Sequence, residues 1–350
     1  MQTSVTIGTR NIGPGHPAYI IAELSANHAQ SFDKATSLIE AAKRCGADAV
    51  KLQTYTADTL TLDCNSEYFK IRGGTPWDGR TLHELYEKAS TPWEWQPKLK
   101  RVAEELGLAL FSSVFDDTAV DFLETLSVPA YKISSFEIVD LPLIRRAART
   151  GKPLIISTGM ATLDEIEAAV RAARGAGAEQ LALLKCTSSY PSTPDQMNLR
   201  AIPYLAETFG VPVGLSDHTL GEAVPIVAVA LGASIVEKHL TLSRAEGGPD
   251  SGFSLEPAEF AAMVNAVRTS EQSLGKVTFG TDEREAGMRA FRRSIFITKD
   301  LKAGSRLSPE NLKIIRPGDG LPPSHFDEVI GRRVAKDVKR GTPLTWDLLE

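Results

Sequence analysis

Eight short apolar runs punctuate the first three-quarters of the chain, near residues 18–24, 49–54, 109–115, 130–137, 153–159, 181–187, 211–218 and 233–241. Most do not alternate apolar with polar positions, as expected for strands buried on both faces of a parallel sheet. Between them the period lengthens. Over 31–45, Ala35, Leu38, Ile39 and Ala42 recur at helical spacing. Further helices are predicted over about 94–106, 116–126, 141–149, 162–174, 198–209, 221–231 and 256–274. Thr162 and Glu165 form a capping-box pattern. Gly46, Gly107, Gly151, Gly210, Gly232 and Gly275 stand where helices stop. Eight strand–helix units in about 275 residues predict an α/β fold, a (β/α)8 TIM barrel. The rival is a doubly wound open sheet, but no glycine-rich G-x-G-x-x-G follows the first strand.

Two stretches break the pattern. Residues 55–93 separate the second strand from its helix and carry Gly74-Thr75-Pro76-Trp77-Asp78-Gly79 and Thr91-Pro92-Trp93-Glu94-Trp95. An insertion on that side of a barrel is expected over the active face, or else as a packing excursion with buried tryptophans. After residue 276 the chain turns polar, then gives short strand-like pieces and turns. This predicts a barrel domain over 1–276, a linker over 277–284 and a small domain over 285–350.

Composition changes this picture little. Apolar residues are 42% and charged residues 24%, ordinary for a folded globular chain. The net charge of −5 offers no basic field for nucleic acid but leaves room for a local anion pocket. No apolar run approaches a membrane span, and the N-terminal stretch does not read as a secretory signal. The three cysteines are odd in number and widely spaced, which argues against a disulfide framework. A cytoplasmic location with reduced thiols is expected.

Catalytic side chains of such barrels gather at the C-terminal strand ends. Here those ends supply Glu23, Ser25, Asn27, His28, Lys51, Gln53, Ser112, Ser113, Lys132, Ser134, Ser135, Glu137, Ser157, Lys185, Ser188, Tyr190, Ser216, Asp217, His218, Glu237, Lys238 and His239. Charges inside apolar strands are costly unless paired or solvated, so a shared polar site is expected. Two lysines with several hydroxyls suit a phosphorylated, carboxylated anion. His218 and His239 end neighbouring strands and could bind a divalent metal that polarises a carbonyl; two hydrogen-bonded histidines are the alternative. Asp250 sits in a glycine-rich loop, either contacting a polyol or shaping a turn.

These residues resemble the sialic acid synthase family over nearly the whole chain. The resemblance rests on Ile21-Ala22-Glu23 with Asn27-His28, Lys51-Leu52-Gln53, Tyr131-Lys132-Ile133-Ser134-Ser135, Ser157-Thr158-Gly159-Met160, Cys186-Thr187 with Tyr190-Pro191, Gly214-Leu215-Ser216-Asp217-His218-Thr219, Glu237-Lys238-His239 and Gly248-Pro249-Asp250. Arg316-Pro317-Gly318 marks a small antifreeze-like (SAF) domain. Leu24-Ser25-Ala26-Asn27-His28 and the tryptophan-rich insertion look like the pseudaminic acid synthase branch.

The resemblance implies condensation of phosphoenolpyruvate with an N-acetylated sugar, here 2,4-diacetamido-2,4,6-trideoxy-L-altrose, with C–O cleavage and phosphate release. N-acetylneuraminate and legionaminate synthesis are the alternatives. It implies a divalent metal, Mn2+ or Mg2+, on His218 and His239. Lys51, Ser113, Ser135, Ser188 and Ser216 would face the phosphate, and Lys132 and Ser157 the carboxylate. Gln53, Glu137, Tyr190 and Asp250 would face the sugar, and Glu23 or Glu137 would stabilise the cation and assist water. It further implies a domain-swapped homodimer in which Arg316 of the small domain reaches the other copy's sugar pocket. Two rivals remain from the residues themselves: an aldolase with Lys51 or Lys132 as Schiff-base nucleophile, and a binding protein without activity.

Overall fold

A computed structural model describes residues 4–350 except 73, 75, 76 and 281. Its chain divides into two compact units, Met1–Gly275 and Lys276–Glu350. The expected linker 277–284 falls at the start of the second, and its Thr281 lies outside the described residues.

The first unit opens with a hairpin that the hydrophobic pattern did not predict, β1 (Val5–Ile7) against β2 (Arg10–Ile12). Strands of three residues are too short to show a period. Then come β3 (Tyr19–Glu23), β4 (Ala49–Thr54), β5 (Ala109–Val114), β6 (Tyr131–Ile133), β7 (Leu154–Ser157), β8 (Leu181–Cys186), β9 (Val213–Asp217) and β10 (Ile235–His239). Each pairs in parallel with the next, and β10 pairs with β3, closing an eight-stranded barrel. The open-sheet rival is thereby excluded.

The helices form where the pattern places them. Helix Phe32–Arg44 is capped by Ser31, whose side chain accepts from the Lys34 amide. It buries Ala35, Leu38, Ile39 and Ala42 against the barrel. Burying each such leucine or isoleucine contributes about 1.5–3 kcal/mol. It stops at Gly46, whose φ of +86° is a left-handed conformation that glycine adopts without strain. The predicted capping box of Thr162 and Glu165 is present on helix Leu163–Gly175.

The insertion after β4 holds helix Leu82–Ala89, which is absent from the sequence prediction although Thr81 and Glu84 form its capping box. Trp93 and Trp95 are packing residues. Trp93 stacks on Phe122 with ring centroids 4.8 Å apart, and Trp95 meets His28 and Phe32 edge-on. Thr75 and Pro76 of the insertion's first motif, and Gly73 just before it, lie outside the described residues.

The second unit pairs β11 (Ser294–Ile297) with β12 (Leu312–Ile315) in antiparallel register. Ile295, Ile297, Leu307, Leu312, Val334 and Leu344 form its own small core. No helix among the described residues is long and apolar enough to cross a membrane.

Candidate active site

Barrel register and strand alternation place the charged side chains. Glu23 on β3 is level with Lys51 on β4 and with His239 on β10. Ser113 on β5 is level with Lys132 on β6, and Ser216 on β9 with Glu237 on β10. All converge on the strands' C-terminal ends.

There Lys51 and Lys132, only 3% and 2% exposed, meet two carboxylates. Lys51 Nζ pairs with Glu23, lies 3.6 Å from Glu237 and donates to the Ser113 hydroxyl at 3.0 Å. Lys132 Nζ lies 3.2 Å from Glu237. Ser216 donates to the same Glu237 oxygen at 3.2 Å. Burial raises the Glu23 carboxyl above its usual range despite Lys51. Burial would raise Glu237 as well, but Lys132 and Lys51 outweigh it and hold Glu237 low. Burial also lowers the Lys132 amine. When all four are ionised their charges cancel.

Glu237 is thus the hub of the site. The strand end is polar in sequence, but no local motif gives Glu237 a role. Its signal was parity: it is two residues from His239, so both face the same way on β10. Lys238 and Asp217 have the opposite parity. They pair with each other on the far side of the strands, with Glu259 of the surrounding helix layer acting on Lys238. They are therefore not mouth residues, contrary to the strand-end reading. Ser112 likewise bonds Thr54, which bonds Gln96 of the helix layer. His28 is also structural: it accepts from the Gln30 amide through Nδ1, which leaves Nε2 to donate to Thr91. Burial lowers its ring to about 4, so it stays neutral.

A second chain of contacts runs from Glu23 to the loop after β10. The Ser25 amide donates to Glu23 Oε1 at 2.8 Å, and its hydroxyl bonds Asp250. Ser25 holds a φ of +45°, a strained conformation for serine that these two bonds retain. Gln53 Nε2 donates to the Ser25 hydroxyl at 3.2 Å. Burial raises the Asp250 carboxyl. The Glu137 carboxyl, on the turn after β6, is pushed up to about 7 by burial, and its Oε2 is buried without a hydrogen-bond partner.

His218 and His239 stand side by side, ring centroids 5.3 Å apart. His218 Nδ1 is 2.9 Å from the Thr187 carbonyl, so this nitrogen carries the proton. Burial would lower the His218 ring, but its hydrogen bond with the Cys186 thiol holds it above its usual range. His239 Nδ1 is buried with no partner. These two imidazoles suit a divalent metal. Among the described residues no group of three or more histidine, cysteine or carboxylate side chains is placed to hold one.

These groups surround a cavity of about 470 Å3, lined by Lys51, Gln53, Lys132, Ser135, Glu137, Ser157, Tyr190, Ser216, His218, Glu237, His239 and Asp250 among others. The Ser157 hydroxyl is buried without a hydrogen-bond partner, a donor left open for a ligand. Ser135 accepts from the Gly159 amide at 3.1 Å. A Cβ at Gly159 would collide with the Ser135 and Ser188 hydroxyls, so glycine is what lets β7's loop approach them. Glu23, Ser113 and Ser188 are not lining residues; the first two act on the cavity through Lys51. Tyr190 lies against His218, centroids 4.5 Å apart, and Trp77 of the insertion adjoins Tyr190 at 6.1 Å. Arg316 belongs to the second unit, exposed just after β12.

Residues 38–279 match the NeuB family and residues 292–350 the SAF domain. The pseudaminic acid synthase of Campylobacter jejuni is 46% identical over 334 residues, 95% of this chain and 97% of that protein. That of Helicobacter pylori is 45% identical over 95% of this chain and 98% of its own length. The crystal structure of N-acetylneuraminic acid synthetase from Leptospira borgpetersenii superposes with a TM-score of 0.73 at 31% identity, covering 82% of this chain and 95% of that one. The barrel with its buried lysine–glutamate cluster and histidine pair therefore stands in a known lineage: the chain belongs to the NeuB family and carries a SAF domain at its C-terminal end.

Proposed function

We propose that this chain condenses phosphoenolpyruvate with 2,4-diacetamido-2,4,6-trideoxy-L-altrose, releasing pseudaminic acid and phosphate by C–O cleavage, in the cytoplasm. The observation that carries the reading is the juxtaposition of two buried lysines with an unpartnered serine hydroxyl beside a histidine pair. The kinship with pseudaminic acid synthases supports the choice of sugar over N-acetylneuraminate or legionaminate precursors.

Lys51, Ser135 and Ser216 bind the phosphate, with Ser113 holding the Lys51 amine and Ser188 packed behind Gly159; Lys132 and Ser157 bind the carboxylate. Charge and directional hydroxyls hold the enol methylene toward the aldehyde. His218 and His239 would hold a divalent metal, Mn2+ or Mg2+, which would supply Lewis acidity toward a carbonyl and positive charge to a cluster that is otherwise neutral. Gln53, Tyr190 and Asp250 position the sugar. Attack of the methylene carbon leaves positive charge at the phosphate-bearing carbon, which the Glu237 carboxylate faces, with Glu23 acting through Lys51. Water adds there and Glu137 takes one of its protons, returning it to the sugar oxygen left anionic by the attack; the other leaves with phosphate as the carbon–oxygen bond breaks and the ketone forms. Arg316 serves the sugar pocket of a second copy, so the working unit is a domain-swapped homodimer. The direct test is sugar-dependent phosphate release. A Schiff-base route through Lys51 or Lys132 is disfavoured because both amines are engaged with carboxylates.

Glu137 gives a pH signature. Its carboxyl, raised to about 7, is neutral below that pH and can accept a proton only above it. With phosphoenolpyruvate and sugar, kcat/KM is therefore expected to rise with pH through about 7. Glu137→Gln should lose ~10²–10⁴-fold in rate and lack that limb. An unchanged limb in the variant removes Glu137 from the proton transfer.

A further inference from the structure

The cavity lining is of two chemical kinds. One part is the polar cluster already described. The other is mostly apolar and comes from the insertion after β4: Leu60, Ile71, Trp77, Leu82 and Leu85, joined by Phe115 after β5, with Tyr55 and Tyr86 as its hydroxyl-bearing members. Trp77 is fixed in this wall. Its indole N–H donates to the Pro249 carbonyl at 3.1 Å, next to Asp250, and its ring adjoins Tyr190, which in turn adjoins His218. The indole thus ties the insertion to the loop carrying Asp250 and sets an apolar surface beside the histidine pair.

Among the described residues, the aliphatic part of this wall, Leu60, Ile71, Leu82 and Leu85, has no hydrogen-bonding group to offer a hydroxyl. A methyl or an acetamido methyl packs there, whereas a hydroxyl loses its water without replacement. Pockets of this kind discriminate by one methylene or one hydroxyl to about 10–200-fold. We infer that the insertion's apolar wall, centred on Trp77 and Ile71, is the specificity determinant of this site. It selects a sugar with a methyl terminus and a second acylated nitrogen over one carrying hydroxyls there. The inference rests on the function proposed above and names the part of the protein that chooses the sugar.

The test measures kcat/KM for two sugars at saturating phosphoenolpyruvate and Mn2+. One is the 2,4-diacetamido-2,4,6-trideoxy sugar; the other is a 2-acetamido-2-deoxyhexose with hydroxyls at C4 and C6. The wild-type chain should prefer the first. Trp77→Ala should lower that preference at least 10-fold, chiefly through the diacetamido sugar, with the KM for phosphoenolpyruvate unchanged. Ile71→Thr, a conservative exchange at a half-buried position, adds a hydroxyl to the wall and should move the preference the same way by several-fold. It keeps the question open to measurement if Trp77→Ala does not fold. Equal losses on both sugars, or an unmoved ratio in the folded variants, would overturn the inference. A wild-type chain that prefers the hydroxylated sugar would overturn the proposed function instead, so the two failures are distinct.

Discussion

Lys51→Met is expected to lower kcat/KM for phosphoenolpyruvate by ~10³-fold or more, equivalent to about 4 kcal/mol of transition-state stabilisation. Lys51 is the one amine in the cluster that touches Glu23, Glu237 and Ser113 together. Its removal takes away a positive charge from an almost dry site, where charge counts most. It also leaves Glu23 without its counter-ion. Breaking a buried pair by removing one partner costs about 3–5 kcal/mol when the other charge persists. Glu23 can shed much of that cost by taking up a proton, because burial already raises its carboxyl. The variant should therefore fold, with a lower Tm, and its stability deficit should shrink as pH falls and Glu23 becomes neutral. Steady-state kinetics and thermal unfolding at two pH values check both halves.

Lys51→Arg should not rescue activity, because the planar guanidinium is larger than the buried slot that holds the ammonium. Lys51→Met also tests the swapped dimer. Mixed with Arg316→Ala, it should regain about one quarter of wild-type activity by random pairing of subunits, if each barrel takes Arg316 from the other copy. No recovery after subunit exchange places Arg316 in the same chain's site or outside it.

His218→Ala should abolish turnover to below ~1% of wild type even with saturating Mn2+, since a two-histidine site cannot spare a ligand. The structural reason is the backbone. Thr187 fixes the His218 ring through Nδ1, and His239 Nδ1 is buried with no protein partner, so a metal held by both rings would lose half of its protein ligands in the variant. Treating the wild-type chain with a chelator should give the same loss, reversed by Mn2+ but not by monovalent salt. Binding separates this from a merely structural effect: Mn2+ titrated into His218→Ala should bind at least ~10-fold more weakly. Near-wild-type turnover in the variant would leave the histidine pair without a metal role.

Much of this architecture is legible in the chain because β/α barrels write themselves in two periods. Non-alternating runs such as Leu181–Cys186 mark strands, and helical spacing such as Leu38, Ile39 and Ala42 marks the outer layer. The hairpin of β1 and β2 escapes because three-residue strands carry no period. Helix Leu82–Ala89 escapes because its apolar face is narrow, with Leu85 alone fully buried. For the site, residue type and strand end are visible in sequence, but facing is not. Lys238 and His239 are neighbours that look alike as mouth residues; one is locked to Asp217 behind the sheet and the other turns into the barrel. Glu237 and Ser25 draw their importance from partners 105 and 225 residues away, Lys132 and Asp250, which no local pattern encodes. The tryptophans divide in the same way. Trp93 and Trp95 pack as half-buried tryptophans, whereas Trp77 lines the cavity.

The most direct measurement of the central claim uses phosphoenolpyruvate labelled with oxygen-18 at its bridging oxygen, incubated with this chain, Mn2+ and the diacetamido sugar. The account predicts phosphate released only when sugar is present, carrying the label, with an unlabelled nine-carbon keto acid formed in equal amount. Label retained in the keto acid, or phosphate release that does not depend on the sugar, would contradict it.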